Sequence, residues 1–373
     1  MKILNFTYYN HLTGWKIKNI NFSSLTLLVG ASGVGKTQVL HALSNLKNIA
    51  NGNSVNGAEW AVSFKIGDAK YEWSGTFETK ENDYQVPTIF PNGQSEYNIL
   101  SERLTKDEEI IVDRDTKRLK FLGKQTVKLD ASKSVLSLLK EEKVITKVYN
   151  AFRRIYQLRN AESNRVTILA SYIPFTEQES GMRIDDIKKM YFLTPTDKLY
   201  LLKSNKLPMF DEIESKFRNF FPLVEKIDFD MGNFGDNSTL PVLKIKEKDV
   251  QRWIYATDIS SGMMRTLDQI VTLKTANDGD VILIDEFENG LGVNCIDSLA
   301  EDILDPDSDV QIIMTSHHPY IINNIPYSTW RVLTRNGSDV HVHTAEELGV
   351  GDWSKHDAFI QLCNTKAFKT GQA

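Results

Sequence analysis

Leu25-Thr26-Leu27-Leu28-Val29-Gly30-Ala31-Ser32-Gly33-Val34-Gly35-Lys36-Thr37 is the stretch that decides the fold. Its first five residues form an apolar run that reads as a strand buried on both faces. The next eight satisfy Gly-x-x-x-x-Gly-Lys-Ser/Thr in full, and behind them Val39, Leu40, Leu43 and Leu46 recur at helical spacing. Strand, glycine loop and helix make a phosphate cradle: backbone N–H groups converge on the anion and the helix N-terminus adds the positive end of its dipole. Gly30, Ala31, Ser32, Gly33, Val34 and Gly35, with Lys36, Thr37 and Gln38 at the helix start, are the candidate phosphate-contacting residues. Lys36 is placed to reach the β- and γ-phosphates and Thr37 to put its hydroxyl on Mg²⁺. A glycine-rich turn with a chance lysine would not carry all of this context.

Three later stretches complete a site. Val281-Ile282-Leu283-Ile284 is a second buried strand and runs straight into Asp285-Glu286. An acid at such a strand end lies beside the phosphate loop in a parallel sheet, where ligands collect at the strand C-termini. Asp285 suits Mg²⁺, and Glu286 suits the attacking water as general base. Gln311-Ile312-Ile313-Met314-Thr315 is a third buried strand, ending in Ser316-His317-His318-Pro319. Its position directs His317, ahead of His318, to the γ-phosphate side. Asp258-Ile259-Ser260-Ser261-Gly262 precedes Met264, Leu267, Ile270 and Val271 at helical spacing, so small polar residues and a glycine open a helix. That is an anion-binding end, or by itself an ordinary serine N-cap.

Around these stretches the chain reads as an ordinary globular protein. Its 373 residues can bury a sizeable core, and 41% hydrophobic with 25% charged residues is an average composition. Forty-four basic against 49 acidic residues give a net charge of −5, which argues against a coat of positive charge but leaves a local basic groove open. Cys295 and Cys363 have no metal-like spacing and point to a reducing compartment. No secretory leader opens the chain and no apolar run reaches the ~20 residues of a membrane span, so a cytoplasmic location is expected.

Residues 1–24 read as a β-hairpin with a polar break at Asn10–Gly14, feeding the phosphate-loop strand. Tyr8 and Trp15 read as hairpin packing ahead of base stacking. Trp60 to Ile66 and Tyr71 to Phe77 alternate about the Gly67-Asp68 turn, and Ile99–Leu104, Glu109–Val112 and Leu119–Leu122 continue an antiparallel meander. From Ser134 the period becomes helical, with Val135, Leu138, Leu139, Val144, Ile145, Val148, Phe152 and Ile155 in one or two helices. Lys140, Lys143, Lys147, Arg153, Arg154, Arg159 and Arg165 lie here, but the interleaved Glu141, Glu142 and Glu162 favour a solvated face over a nucleic-acid surface. Further on, helical pieces are expected at Ile184–Met190 and Phe210–Phe221, and strands at Ile227–Asp230 and Val242–Ile245.

Taken in order, the four stretches resemble the ABC-type ATPases of the SMC, RecF and OLD-like groups. Ile259-Ser260-Ser261-Gly262 is similar to the ABC signature, Leu283-Ile284-Asp285-Glu286 to Walker B, Asn289-Gly290-Leu291 to the D-loop and Thr315-Ser316-His317 to the switch-histidine loop. Ser101-Glu102-Arg103-Leu104 and Asp113-Arg114 look like the β-rich lobe of the small OLD-like ATPases. The resemblance implies an α/β P-loop fold of ABC type, with a mixed, mostly parallel core sheet between helices, an antiparallel β-meander and a helical lobe. It implies one head over 1–373, with 1–50 and 251–345 as nucleotide core, 51–250 as inserted lobe and 346–373 as a C-terminal extension. ATP and Mg²⁺ are the implied cofactors, with Thr37 and Asp285 on the metal. Glu286, His317 and Lys36 are the implied catalytic residues. Two such heads sandwich two nucleotides, so Ser260, Ser261 and Gly262 would act in trans across a homodimer or higher homo-oligomer.

The chain departs from the family at Met263, where Gln or Glu is usual, at Ser261, often Gly, and at Gly292, often His. These departures imply slow hydrolysis. Residues 320–373 are too few for a TOPRIM nuclease domain and lack its Glu and Asp-x-Asp set, so a nuclease or toxin activity is expected from a separate effector, as in anti-phage systems. The alternative expectation is a RecF-like ATPase that clamps DNA in repair or maintenance. A scaffold that binds but does not turn over ATP fits less well with Lys36, Asp285, Glu286 and His317 all present. A GTPase would show Asn-Lys-x-Asp, which is missing here, and no membrane partner is expected.

Overall fold

The computed structural model describes residues 1–81, 96–158, 181–233, 239–351 and 355–372. They cluster into two compact units, one of Met1–Gln157, Gly279–Ile284 and Gln311–Ala373, the other of Leu158–Asp278 and Asp285–Val310.

The first unit begins with β1 (Lys2–Asn10), β2 (Lys16–Asn21), β3 (Leu25–Val29) and α1 (Lys36–Ala50). The meander follows as β4 (Ala58–Ile66), β5 (Ala69–Phe77), β6 (Ile99–Lys106), β7 (Glu109–Asp115), β8 (Leu119–Phe121) and β9 (Lys124–Gln125). Then come α2 (Val135–Leu138), α3 (Lys143–Arg153) and β10 (Ile155–Leu158). The second unit contributes α4 (Ile184–Lys188), α5 (Pro195–Ser204), α6 (Pro208–Phe220), β11 (Val224–Asn233), β12 (Thr239–Glu247), β13 (Ile254–Tyr255) and α7 (Ser261–Lys274). The chain returns to the first unit for β14 (Val281–Ile284), crosses to the second for α8 (Val293–Leu304), and ends in the first. That last segment holds β15 (Gln311–Thr315), α9 (Pro319–Asn324), β16 (Trp330–Asn336), β17 (Asp339–Thr344), α10 (Lys355–Asn364) and α11 (Lys366–Thr370).

Among the described residues, 14 strands of the first unit form one sheet in the order β10-β14-β15-β3-β16-β17-β2-β1-β4-β5-β6-β7-β8-β9. The neighbours β14, β15, β3 and β16 are parallel. Every residue of β14 and β15 is buried, as apolar runs without alternation require. Beyond β1 the sheet is antiparallel and alternates: β4 buries Ala58, Trp60, Val62 and Phe64 and exposes Glu59, Ala61 and Lys65. The aromatic seam Trp60, Trp73, Phe64 and Phe152 ties this meander to α3, with ring centroids about 5 Å apart.

The β1–β2 hairpin forms as expected and leads into β3, with the β16–β17 hairpin lying between β2 and β3 in the sheet. One expectation needs correction. Ile155 is not the last helical position of its segment. The Arg154 carbonyl accepts from Val281 N–H, so the chain leaves α3 and enters the sheet edge as β10. The helices expected at Ile184–Met190 and Phe210–Phe221 run Ile184–Lys188 and Pro208–Phe220, and the strands at Ile227–Asp230 and Val242–Ile245 extend to Val224–Asn233 and Thr239–Glu247. Arg154 is structural: its Nε lies 2.7 Å from the fully buried carboxylate of Asp280. Arg159, Glu162 and Arg165 lie outside the described residues.

In the second unit α7 packs against α5, α6 and α8. Its apolar Leu267, Ile270 and Val271 are buried, and so are Arg265, Thr266, Asp268 and Gln269. A helix that buries this much polarity must satisfy it with neighbouring backbone and side chains. Arg265 and Gln269 find theirs in the segment that follows β14, and Thr266 bonds back to the Gly262 carbonyl.

Candidate nucleotide site

The phosphate loop follows β3 without a break. Gly30 has φ +144°, and a Cβ there would stand 2.5 Å from the Leu333 carbonyl oxygen of β16, so only glycine passes between the two strands. Gly35 caps α1 in a left-handed conformation (φ +103°), backed by Trp15, whose buried indole N–H has no hydrogen-bond partner among the described residues. Trp15 also packs on Tyr8 at 6.1 Å, which makes both residues hairpin packing. Lys36 is the first helical residue and is buried; its Nζ donates to the carbonyls of Gly30 (2.8 Å) and Ala31 (2.9 Å). The ammonium therefore sits inside the curl of the loop. Val34 is buried as the anchor of the loop, whereas Ser32, Gly33 and Gln38 are exposed and Ala31 and Thr37 half-buried.

A residue that sequence reading passed over also joins this loop. Arg335, in β16, donates from Nη1 to the Gly33 carbonyl (3.2 Å), and its backbone N–H donates to the Gly371 carbonyl (2.7 Å) at the end of α11. Gly371 lies against Val34 and Ala31. Arg335 had no motif to mark it, since a single basic residue in a strand reads as an exposed tip.

The parallel register of β14, β15 and β3 brings three loops to one sheet edge. Ile284, Met314 and Leu27 stand level, and Ser316 leaves the sheet beside the phosphate loop's entry. Ser316 is buried and its Oγ accepts from His318 N–H (3.0 Å). His317 is exposed, whereas His318 is half-buried, with a buried Nδ1 that has no partner among the described residues.

The second unit holds the other candidate elements. Ser260 is the exposed N-cap of α7, its side chain accepting from Met263 N–H (3.2 Å). The plain capping role is therefore real, and it coexists with an exposed helix end. A Cβ on Gly262 would lie 2.5 Å from the Gly290 carbonyl oxygen, so the Ser260–Gly262 stretch is seated directly on the Asn289–Leu291 turn. Arg265 reaches the same segment: Nη2 donates to the carbonyls of Asp285 (2.8 Å) and Glu286 (2.6 Å). Burial pulls its guanidinium below the usual arginine value, against the opposing pull of Glu288, Glu286, Asp285 and Asp268. Glu286 has φ +44°, and Asn289 donates from Nδ2 to its Oε2 (2.8 Å).

The phosphate loop fits a nucleotide: it offers backbone N–H groups and an ammonium to phosphate. Among the described residues no group of three or more His, Cys, Asp or Glu could hold a metal by itself, and no helix is long and apolar enough to cross a membrane.

Residues 25–323 match the family model described as "AAA domain, putative AbiEii toxin, Type IV TA system". Among solved structures, the fold is similar to an SMC head bound to the C-terminal winged-helix domain of ScpA, at 14% identity and a TM-score of 0.52, over 92% of this chain and 98% of that one. An SMC head with an extended coiled coil, bound to a ScpA domain derived from Pyrococcus furiosus, gives 12% and 0.45 over 93% and 97%. The SMC head from Thermotoga maritima gives 11% and 0.41 over 92% and 99%. No curated protein sequence matches the chain. With most of its length under the family model, the chain belongs to this AAA-domain family, and its fold is similar to that of an SMC head.

Proposed function

We propose that this protein binds ATP with Mg²⁺, hydrolyses it slowly, and uses ATP-driven pairing of two heads as a switch on a separate effector in anti-phage defence. The observation that carries the reading is the exposed N-terminus of α7 at Ser260, in a chain whose phosphate loop caps a different helix, α1. A helix N-terminus favours an anion. One chain thus presents two anion-binding ends, the arrangement of a composite site in which Ser260, Ser261 and Gly262 meet a nucleotide held by a second copy.

In this reading Lys36 exchanges the Gly30 and Ala31 carbonyls for β- and γ-phosphate oxygens, so the loop carries the charge of the triphosphate. Thr37 and Asp285 would hold Mg²⁺, which would supply charge neutralisation for the triphosphate. Glu286 accepts the proton of the attacking water, and His317, exposed at the end of β15, meets the γ-phosphate side. The family description names a toxin–antitoxin setting, and a head of this fold has been seen bound to a domain of another protein; both support a switch with a protein partner. The test is ATP turnover by the purified chain. Lys36→Ala should abolish nucleotide binding, and Glu286→Gln should keep binding while losing about two orders of magnitude or more in turnover. Binding that survives Lys36→Ala unchanged would contradict the reading.

One observation favours the DNA-clamping alternative. Residues 116–129 hold Lys117, Arg118, Lys120, Lys124 and Lys128 and no acid. Of these, Lys117, Arg118 and Lys128 line a cavity of about 150 Å³ together with Arg114 and Asp115. Asp115 and Asp113 face Arg118 and Lys120 across the strands and offset part of that charge. Oligonucleotide binding that weakens steeply with salt would raise this alternative.

A further inference from the structure

Glu286 stands in the left-handed backbone region, with φ +44°. A residue with a Cβ is held there only when its surroundings over-determine it. Two side chains do so. Arg265 donates to the carbonyls on both sides of the strained peptide, those of Asp285 and Glu286. Asn289 donates its side-chain amide to Glu286 Oε2 (2.8 Å), and its backbone N–H to the Glu286 carbonyl (2.8 Å). We propose that Asn289 and Arg265 are the positioning residues of Glu286: Asn289 fixes the plane of the carboxylate, and Arg265 locks the peptide that aims it.

The proposal rests on Glu286 as general base. An amide N–H on one carboxylate oxygen removes a torsional freedom that would otherwise be lost on reaching the transition state. Arg265 is buried, so its N–H groups cannot trade these carbonyls for water. It also lies on α7, one turn beyond Gly262, whose backbone rests on the Gly290 carbonyl. Any displacement of the exposed end of α7 therefore reaches Glu286 through Arg265 and the Gly290 contact together. Gln269, one turn further along, donates to the Phe287 carbonyl at 3.5 Å and extends the same attachment.

Asn289 is exposed and tolerates substitution without loss of core packing, so it carries the test; Arg265→Lys and Arg265→Gln supplement it. Steady-state Mg-ATP turnover is measured across pH for the full chain, for Asn289→Ala, Asn289→Asp and Glu286→Gln, and for the double variant. Asn289→Ala should lower kcat about tenfold with KM within about twofold, the mark of an interaction that matters beyond ground-state binding. Asn289→Asp exchanges the donor for an acceptor and should lower kcat at least as far as Asn289→Ala. The double variant should be no slower than Glu286→Gln alone, because both changes remove one function. A wild-type kcat in both Asn289 variants overturns the proposal while leaving the base in place. Unimpaired turnover in Glu286→Gln overturns the base assignment and the proposal with it.

Discussion

At the scale of single residues, a methyl group on Gly262 would stand 2.5 Å from the Gly290 carbonyl oxygen, and no flexible side-chain end is there to give way. Gly262→Ala must push α7 off the Asn289–Leu291 turn, costing about 1–3 kcal/mol as overpacking does. A lowered urea midpoint together with lost ATP turnover would show it; a variant indistinguishable from wild type would not fit this contact. Glu102 is the second case. Buried in the meander, it accepts from Ser134 Oγ, from Val135 N–H (2.8 Å) and from Trp73 Nε1 (3.1 Å), with Arg114 at 3.6 Å. Burial pushes its carboxyl up, and these donors and Arg114 pull it back. Glu102→Ala leaves a buried guanidinium and several donors behind, and should cost about 3–5 kcal/mol in urea unfolding. In the sequence, Glu102 and Arg114 stood out only through a family resemblance. Their structural role was invisible because the pairing spans two strands whose register depends on the turn between them.

At the scale of elements, the motif-bearing strands were legible because burial on both faces leaves a plain sign: uninterrupted Leu, Ile and Val ending in Gly30, Asp285 or Ser316. The meander was legible for the opposite reason, its period of two. Ile155 was misread because it continues the apolar spacing of α3, whereas a backbone bond to Val281 decides its state. The β16–β17 hairpin between β2 and β3 had no local signal, since strand order is set by contacts between residues some 300 apart. Arg265 was overlooked too: an arginine in a helix reads as solvated until the partner carbonyls are in place. An element-level prediction concerns the ion pair of Lys274, at the end of α7, with Asp307 (2.7 Å). Hydrogen bonding to Lys274 holds the Asp307 carboxyl below the usual range. A depressed carboxylate stabilises the fold above its unfolded pKa of about 4, and that contribution fades as pH falls through the folded value. Urea midpoints from pH 7 to pH 3 should therefore drop more gently in Asp307→Asn than in wild type. The pair is half open to water, so the difference is small.

At the scale of the whole molecule, the account treats the head as half of a composite machine. In the proposed function its phosphate loop and its α7 N-terminus would serve different nucleotides, and the coupling between two copies would be the switch. Nucleotide that binds only the paired state shifts the monomer–dimer balance by mass action, and blocking hydrolysis preserves that state. The most direct test is the solution mass of wild type, Glu286→Gln and the Glu286→Gln/Ser260→Arg double variant by analytical ultracentrifugation, each with and without Mg-ATP. The account predicts that the mass of Glu286→Gln doubles with Mg-ATP alone and that adding Ser260→Arg prevents the doubling. A mass that ignores Mg-ATP in every variant would contradict nucleotide-driven pairing of the heads.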